Sequence, residues 1–313
     1  MNEPVIDIAG CAVTYQAGPA WSRRSIEAVR DVSLAIESGE TVGLVGESGS
    51  GKTTVGRLCL GLVRASRGEA RFAGAPLVRG RGRIRGQLSV VLQHPDWALN
   101  PRLKSGVSVA EPLSILGVGS PAERVGQVAE MLTLVGLDPG FAGRYPHELS
   151  GGQRQRMAIA RALITEPRLV VFDEAVSALD VSVQTQVLNL IKELQASKGF
   201  AALFIAHDMA ATRYVSHRIA VMYAGELMEV APASRFYGRP QHPYSRALRV
   251  TIAESDRVAF ELRGAPGGED TGGCALSRRC PWVVERCRDQ RPDLRAVNDG
   301  LSACHRAEEV AAA

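Results

Sequence analysis

Gly46-Glu-Ser-Gly-Ser-Gly51-Lys52-Thr53 follows the pattern G-x-x-x-x-G-K-S/T, and the residues on either side decide what it means. Upstream, Glu40-Thr-Val-Gly-Leu-Val-Gly46 reads as a short apolar strand ending in a glycine turn. Downstream, a helix is predicted to begin at Lys52. Strand, glycine turn and helix in that order are the setting in which this pattern holds a phosphate chain. The glycines let the backbone N–H groups of Gly46, Glu47, Ser48, Gly49, Ser50 and Gly51 turn toward one point, where the helix N-terminus adds partial positive charge. Lys52 then reaches the β- and γ-phosphates, the Thr53 hydroxyl ligates Mg²⁺, and Thr54 follows on the same first turn. A glycine-rich turn of purely structural use has no need of Lys52 and Thr53 at these positions.

Such a site needs an acid for its metal. Leu169-Val-Val-Phe-Asp173-Glu174 supplies one at the carboxyl end of an apolar run that reads as a doubly covered parallel strand, where ligands of open α/β sheets gather. Asp173 is expected to hold Mg²⁺ through water, and Glu174 to polarise an attacking water as a general base. On its own an Asp-Glu pair after a strand is an ordinary surface turn; beside the phosphate loop the catalytic reading prevails.

Working outward, Ile6 to Tyr15 and Val32 to Ile36 read as strands joined by a polar loop from Gln16 to Arg24, and Leu88 to Gln93 as another buried strand. Between Asn100 and His147 the pattern turns helical, with Val125, Val128, Ala129, Leu132 and Val135 at helical spacing. Strand and helix then alternate through Ala202-Leu-Phe-Ile-Ala206 and Ile219-Ala-Val-Met222, the mark of an α/β fold. Past Gly238 come a linker-like Arg239-Pro-Gln-His-Pro-Tyr244, a short helix to about Ala253, a glycine-rich segment from Gly264 to Gly273 and a cysteine-bearing tail. The expectation is a nucleotide-binding domain over 1–238, with a helical subdomain at about 94–149, and a C-terminal segment over 239–313.

The 313 residues are 45% hydrophobic and 22% charged, as in an ordinary globular protein. No apolar run approaches the roughly 20 residues that cross a bilayer, and the start Met1-Asn-Glu-Pro4 lacks the features of a secretory signal, so the cytosol is the expected compartment. The net charge of +4 is mild. Arg79, Arg81, Arg83 and Arg85 alternate with glycines and Ile84 rather than aromatics, which reads as a solvated loop and not as a nucleic-acid footprint.

The stretch Leu149-Ser150-Gly151-Gly152-Gln153-Arg154-Gln155-Arg156 separates this chain from other phosphate-loop NTPases: it resembles the signature of ABC ATPases, and Ser177-Ala-Leu-Asp180 resembles their D-loop. Ser150 can cap the following helix while Gly151 and Gly152 leave its first N–H groups open to an anion. The resemblance implies that Ser150, Gly151, Gly152 and Gln153 contact the γ-phosphate held by a partner subunit, so that two chains close head to tail around two ATP molecules. It implies further that Gln93 touches Mg²⁺ and the catalytic water, that His207 contacts the γ-phosphate, and that Tyr15 stacks on adenine, with Trp21 as a rival. The fold implied is a P-loop NTPase of ABC type: a mixed, mainly parallel sheet with flanking helices and a helical subdomain.

Within that family, Leu99-Asn-Pro-Arg102, the run from Asp173 to Gln184, His242-Pro-Tyr-Ser-Arg-Ala-Leu248 and the cysteine tail resemble the ATPase subunits of dipeptide and oligopeptide importers, a group that includes nickel importers. The resemblance implies a second, different ATPase subunit, two permeases, an extracytoplasmic substrate-binding protein and a place at the cytoplasmic face of the membrane. His94-Pro-Asp-Trp97 departs from relatives, which usually carry Asn-Pro followed by small or aromatic residues. Cys274, Cys280, Cys287 and Cys304 are spaced C-x5-C-x6-C-x16-C, which fits no common zinc pattern. Spacing alone leaves open a cluster, a zinc ion or bare thiols; some of the resembled subunits hold a 4Fe–4S cluster on these four cysteines. Long coiled-coil inserts or fused cassettes, marks of soluble ABC ATPases of DNA repair or translation, are missing. A redox-responsive module in which ATP merely sets conformation remains the rival of another class.

Overall fold

The computed structural model describes residues 3–18, 24–77, 84–250 and 272–312. Trp21, Arg79, Arg81, Arg83 and most of the glycine-rich segment lie outside them, as does the expected end of the short helix near Ala253. In chain order the elements are β1 (Ile6–Ala17), β2 (Arg24–Ile36), β3 (Thr41–Val45), α1 (Lys52–Cys59), β4 (Arg67–Phe72), β5 (Ala75–Pro76) and β6 (Leu88–Leu92). Then follow α2 (Ser105–Leu116), α3 (Pro121–Leu134), α4 (Gly151–Leu163), β7 (Leu169–Asp173), α5 (Val181–Lys198), β8 (Ala201–Ile205), α6 (Met209–Val215), β9 (Arg218–Tyr223) and β10 (Glu226–Pro232). The chain ends through α7 (Ala233–Gly238), α8 (Pro243–Val250), α9 (Arg286–Asp289), β11 (Arg295–Val297), β12 (Gly300–Ser302) and α10 (Ala307–Ala312).

Every residue of β3 and β8 is buried, because the sheet they join is covered on both faces. In that sheet β6, β7, β8, β3 and β9 run parallel in spatial order, and β10, β12 and β11 continue it antiparallel. Residues past 238 thus extend the same sheet, with Glu229 opposite Ser302 and Val230 opposite Leu301. A second, antiparallel sheet, β2-β1-β4-β5, packs its inner face against β3, β8 and α1 through Ile6, Ile8, Val32, Val42, Leu44 and Val55. A fully buried Val or Leu of this kind contributes roughly 1.5–3 kcal/mol.

The structure lengthens β1 and β2 beyond the sequence reading: they pair out to Ala17 and Arg24, through residues expected to form a loop. Register shifts at Cys11 and Val13 break the in-out alternation, which is why the period-two signal fades there. In the helical subdomain, α3 starts at a reciprocal cap between Ser120 and Glu123 and buries Val128 and Leu132, with Val135 following. Val125, expected on the same stripe, is exposed. Cys11 and Cys59 are fully buried between the sheets.

A buried carboxylate fastens the chain after α7 to the core. Glu229 of β10 accepts the N–H groups of Gln241 (3.0 and 3.1 Å) and His242 (2.9 Å). Burial raises its pKa, and those hydrogen bonds pull it back. The His242 ring is buried with Nδ1 accepting the Tyr244 N–H at 3.1 Å, so the imidazole stays neutral. Burial pushes its pKa down to about 3 from 6.5. Below about pH 6.5 the unfolded chain takes up a proton that the native ring refuses, so His242 costs stability progressively as pH falls toward 3. Glu229 titrates with the opposite sign, so the comparison needs a variant. Denaturation followed between pH 7 and 4.5 should show the unsubstituted chain losing up to about 1.4 kcal/mol per pH unit more than His242→Asn.

Candidate active site

The phosphate loop lies between the end of β3 and the start of α1, wedged against two neighbours that leave no space for a side chain. A Cβ on Gly46 would stand 2.0 Å from the Met222 carbonyl oxygen, and one on Gly51 2.3 Å from that of Ala28. Both residues also have positive φ, 151° and 104°. β2 therefore presses the loop from one side and the end of β9 from the other, and Gly225 N–H donates to the Ser50 carbonyl at 3.0 Å. Lys52 is buried and donates from Nζ to the carbonyls of Gly46 and Glu47, each at 2.8 Å. Burial lowers its pKa, while the charges of Glu174, Asp173 and Glu47 raise it again.

Asp173 closes β7, between Leu92 of β6 and Ile205 of β8. Thr53 Oγ1 donates to its Oδ1 at 3.3 Å, so the two expected Mg²⁺ ligands already face one another. Burial raises the Asp173 pKa, the Thr53 hydrogen bond lowers it, and the Glu174 carboxylate raises it further. The next residue leaves the strand abruptly: Glu174 has φ 53°, with its N–H on the Ile205 carbonyl at 2.9 Å. A left-handed conformation in a non-glycine residue costs about 1–2 kcal/mol, and such strain collects where a side chain must be aimed. Here it directs Glu174 Oε1 to within 2.6 Å of His207 Nε2.

Gln93 follows β6, and its Nε2 donates to Ser177 Oγ at 3.2 Å; Ser177 Oγ in turn donates to the Glu174 carbonyl at 2.9 Å. One line of contacts thus joins Gln93, Ser177, Glu174 and His207. The sequence placed Ser177 only at the head of the D-loop stretch and gave it no role in this line, since such a contact has no periodic signal. Asp180 sits at the N-cap of α5 without a side-chain capping bond. Tyr15 lies on β1 against the core between the sheets, with its hydroxyl unpartnered.

Ser150 caps α4: its Oγ accepts the Gln153 N–H at 3.3 Å, and Gln153 Oε1 accepts the Ser150 N–H at 2.9 Å. Gly152 lies against α5, where a Cβ would meet Val183 at 2.7 Å, whereas Gly151 faces open space. Among the described residues no hydrogen bond or ion pair of Ser150 or Gln153 reaches Lys52, Asp173 or Glu174. The departure at His94–Trp97 forms a 3-10 turn whose Asp96 pairs with Arg154 of α4 at 3.2 Å, leaving Trp97 exposed.

Cys274, Cys280 and Cys287 are buried and Cys304 half-buried, and none is in a disulfide. Burial first, and the neighbouring thiols after it, push Cys274 up to about 12 and Cys280 and Cys304 to about 11. Among the described residues, no group of three or more Cys, His, Asp or Glu is placed to hold a metal ion.

Comparison with known proteins gives two family matches: "ABC transporter" over residues 29–177, and "Oligopeptide/dipeptide transporter, C-terminal region" over 228–287. A Brucella abortus protein named for peptide import and ATP binding is 46% identical over 302 residues, spanning 92% of this chain and 89% of that protein. A Brucella ovis protein named in the same way is 42% identical over 314 residues, 97% and 98% of the two chains. Among solved structures, a dimeric ATP-binding cassette in a post-hydrolysis state with ADP and Pi is 30% identical, with TM-score 0.65 over 73% of this chain and 98% of that one. A Clostridium perfringens subunit of an ABC transporter complex shares the fold at 22% identity and TM-score 0.67, over 75% and 91% of the chains.

The wedge around the loop makes a sharp test. Gly46→Ala must move either the loop or the end of β9, and calorimetric titration with nucleotide should show affinity reduced at least about 10-fold, the equivalent of about 1.4 kcal/mol. Gly126→Ala, on α3 and facing open space, should leave that affinity within about twofold.

Proposed function

This chain belongs to the ABC transporter family as one of its ATP-hydrolysing subunits, and from that premise we propose that it powers the import of di- and oligopeptides. What carries the cargo class is the C-terminal match on the same chain as the ATPase match, together with relatives named for peptide import. Nickel, the other solute of this group, has no comparable support.

The triphosphate lies along the N–H groups from Ser48 to Thr54, the expected Glu47 N–H being taken instead by the Tyr244 hydroxyl, with Lys52 turning from its two loop carbonyls to the β- and γ-phosphates. Thr53, Gln93 and, through water, Asp173 are the residues that would hold Mg²⁺; their all-oxygen donor set suits that ion, and the Thr53–Asp173 contact supports the assignment. When bound, Mg²⁺ supplies charge neutralisation on the β- and γ-oxygens. Glu174 accepts a proton from the attacking water, and His207, released from Glu174, turns to the γ-phosphate. Gln93, linked through Ser177 to the Glu174 backbone, reports the state of the site toward the helical subdomain at about 94–149. Tyr15 offers its ring to adenine.

Ser150, Gly151, Gly152 and Gln153 act on the ATP of the partner, as does the D-loop around Asp180 across the interface. The α4 N-terminus behind the Ser150 cap suits an anion, which supports that role. ABC ATPases pair and act on permeases. The further reading is that the partner ATPase is a different chain, that an extracytoplasmic binding protein delivers the peptide, and that this subunit docks on the permeases from the cytoplasmic face. No helix among the described residues is long and apolar enough to cross a membrane. Cys274, Cys280, Cys287 and Cys304 are the residues that would hold a 4Fe–4S cluster; none of them is in a disulfide, and thiolates are the ligands such a cluster takes. Such a cluster would cross-link the segment and sense redox state.

In the assembled complex, Glu174→Gln should lower kcat by at least about 100-fold while MgATP still binds, and Lys52→Ala should weaken binding itself. Peptide uptake into proteoliposomes should fail with either variant, and a Glu174→Gln complex that hydrolyses ATP at the unsubstituted rate would remove Glu174 from its role. Anaerobically purified chain should carry about four irons and absorb near 400 nm by the cluster chemistry, and Cys280→Ala should lose both.

A further inference from the structure

Glu47, the first variable residue of the phosphate loop, is gripped from three directions. Its backbone N–H donates to the Tyr244 hydroxyl at 2.8 Å, and its carbonyl accepts from Lys52 Nζ at 2.8 Å. Its two carboxylate oxygens lie 3.0 and 3.1 Å from Arg279 Nη1. Tyr244 and Arg279 both belong to the C-terminal segment, 197 and 232 residues further along the chain.

The grip is built in. Tyr244 is fully buried, and its ring packs at 4.8 Å on that of Tyr223, which ends β9. Arg279 is 11% exposed, donates to the Tyr223 hydroxyl at 3.3 Å and lies over its ring. Arg279 stands in a turn tied to the cysteines: its N–H and that of Cys280 both reach the Leu276 carbonyl, Ser277 N–H reaches Cys274, and Cys274 N–H reaches Cys287.

Two consequences follow for a bound triphosphate. With the Glu47 N–H engaged elsewhere, its peptide plane is fixed, and with it the direction of the next N–H groups, which receive phosphate. The Glu47 carboxylate is a negative charge at the rim of an anion site, and Arg279 compensates it where low exposure weakens screening. Without Arg279 that charge opposes every phosphate entering the loop.

We propose that Tyr244 and Arg279 are positioning residues for ATP binding, through which the C-terminal segment sets the nucleotide affinity of this chain's own phosphate loop. The inference rests on the ATP site described above. It goes beyond that site in making a segment outside the ATPase motifs part of the binding machinery. Ordinary loop position x tolerates many residues; here the loop, the β9 end and the cysteine turn are fitted to each other through Glu47.

The test measures MgATP affinity by calorimetry on the full chain, with KM and kcat on the assembled complex. Tyr244→Phe removes one hydrogen bond and should weaken binding roughly 2- to 10-fold. Arg279→Ala should weaken it by a similar factor or more, Arg279→Lys should restore part of the loss, and Glu47→Gln combined with Arg279→Ala should bind better than Arg279→Ala alone. KM should rise in step while kcat stays within about twofold, a split that general destabilisation does not produce. Arg295→Ala, which breaks a remote ion pair with Glu308 in the same segment, should bind as the unsubstituted chain does. Should Arg279→Ala fail to fold, Tyr244→Phe and Arg279→Lys decide the matter. Unchanged affinity in Tyr244→Phe and Arg279→Lys, or an equal loss in Arg295→Ala, overturns the proposal. A complex that binds ATP with these shifts yet never hydrolyses it would overturn the function proposed above and leave this inference standing.

Discussion

The close approach of backbone to backbone at Gly46 and Gly51 constrains everything around the site. Because the Met222 and Ala28 carbonyls occupy the space that a Cβ would need, only glycine lets the loop lie flush against β9 and β2, where the Gly225 N–H ties the Ser50 carbonyl down. The parallel strands β6, β7, β8 and β3 then deliver Gln93, Asp173 and His207 to the same end of the sheet, as the carboxyl edge of such a sheet does. Stiffness in the loop and convergence of strand ends are two expressions of one packing solution: a double-covered sheet with the loop trapped at its rim.

Against that rigid background Glu174 and His207 form a close pair, Oε1 to Nε2 at 2.6 Å. In the proposed mechanism the ring covers one of the two carboxylate oxygens, so turning it toward the γ-phosphate would bare that oxygen to water. The strained backbone of Glu174, tied at its N–H to β8 and at its carbonyl to Ser177, fixes where the carboxylate points.

The motif residues were readable in the sequence because each depends on local spacing: the loop glycines, the acid pair after Phe172 and the Ser150 cap are all set by a few neighbouring positions. The sheet class was readable for the same reason, from continuous apolar runs such as Leu169 to Phe172. The full extent of β1 and β2 was not, because register shifts scramble their alternation. The grip of Tyr244 and Arg279 on Glu47 was not either; a hydroxyl and a guanidinium that find their partner some two hundred residues away leave no mark on periodicity or composition. Ser177 lies between these cases, within a recognisable stretch but with a partner, Gln93, that only the pairing of β6 with β7 brings near.

Because β12 hydrogen-bonds to β10 and Glu229 accepts the N–H groups of Gln241 and His242, the tail is a stopper on the sheet as well as an appendage. A chain truncated after Gly238 would bare the flank of β10, offering an open template to any extended segment, and would strand a carboxylate inside the protein. The open flank of β10 makes this seam a poor place for a cut, since an unpaired edge strand is a template for other chains.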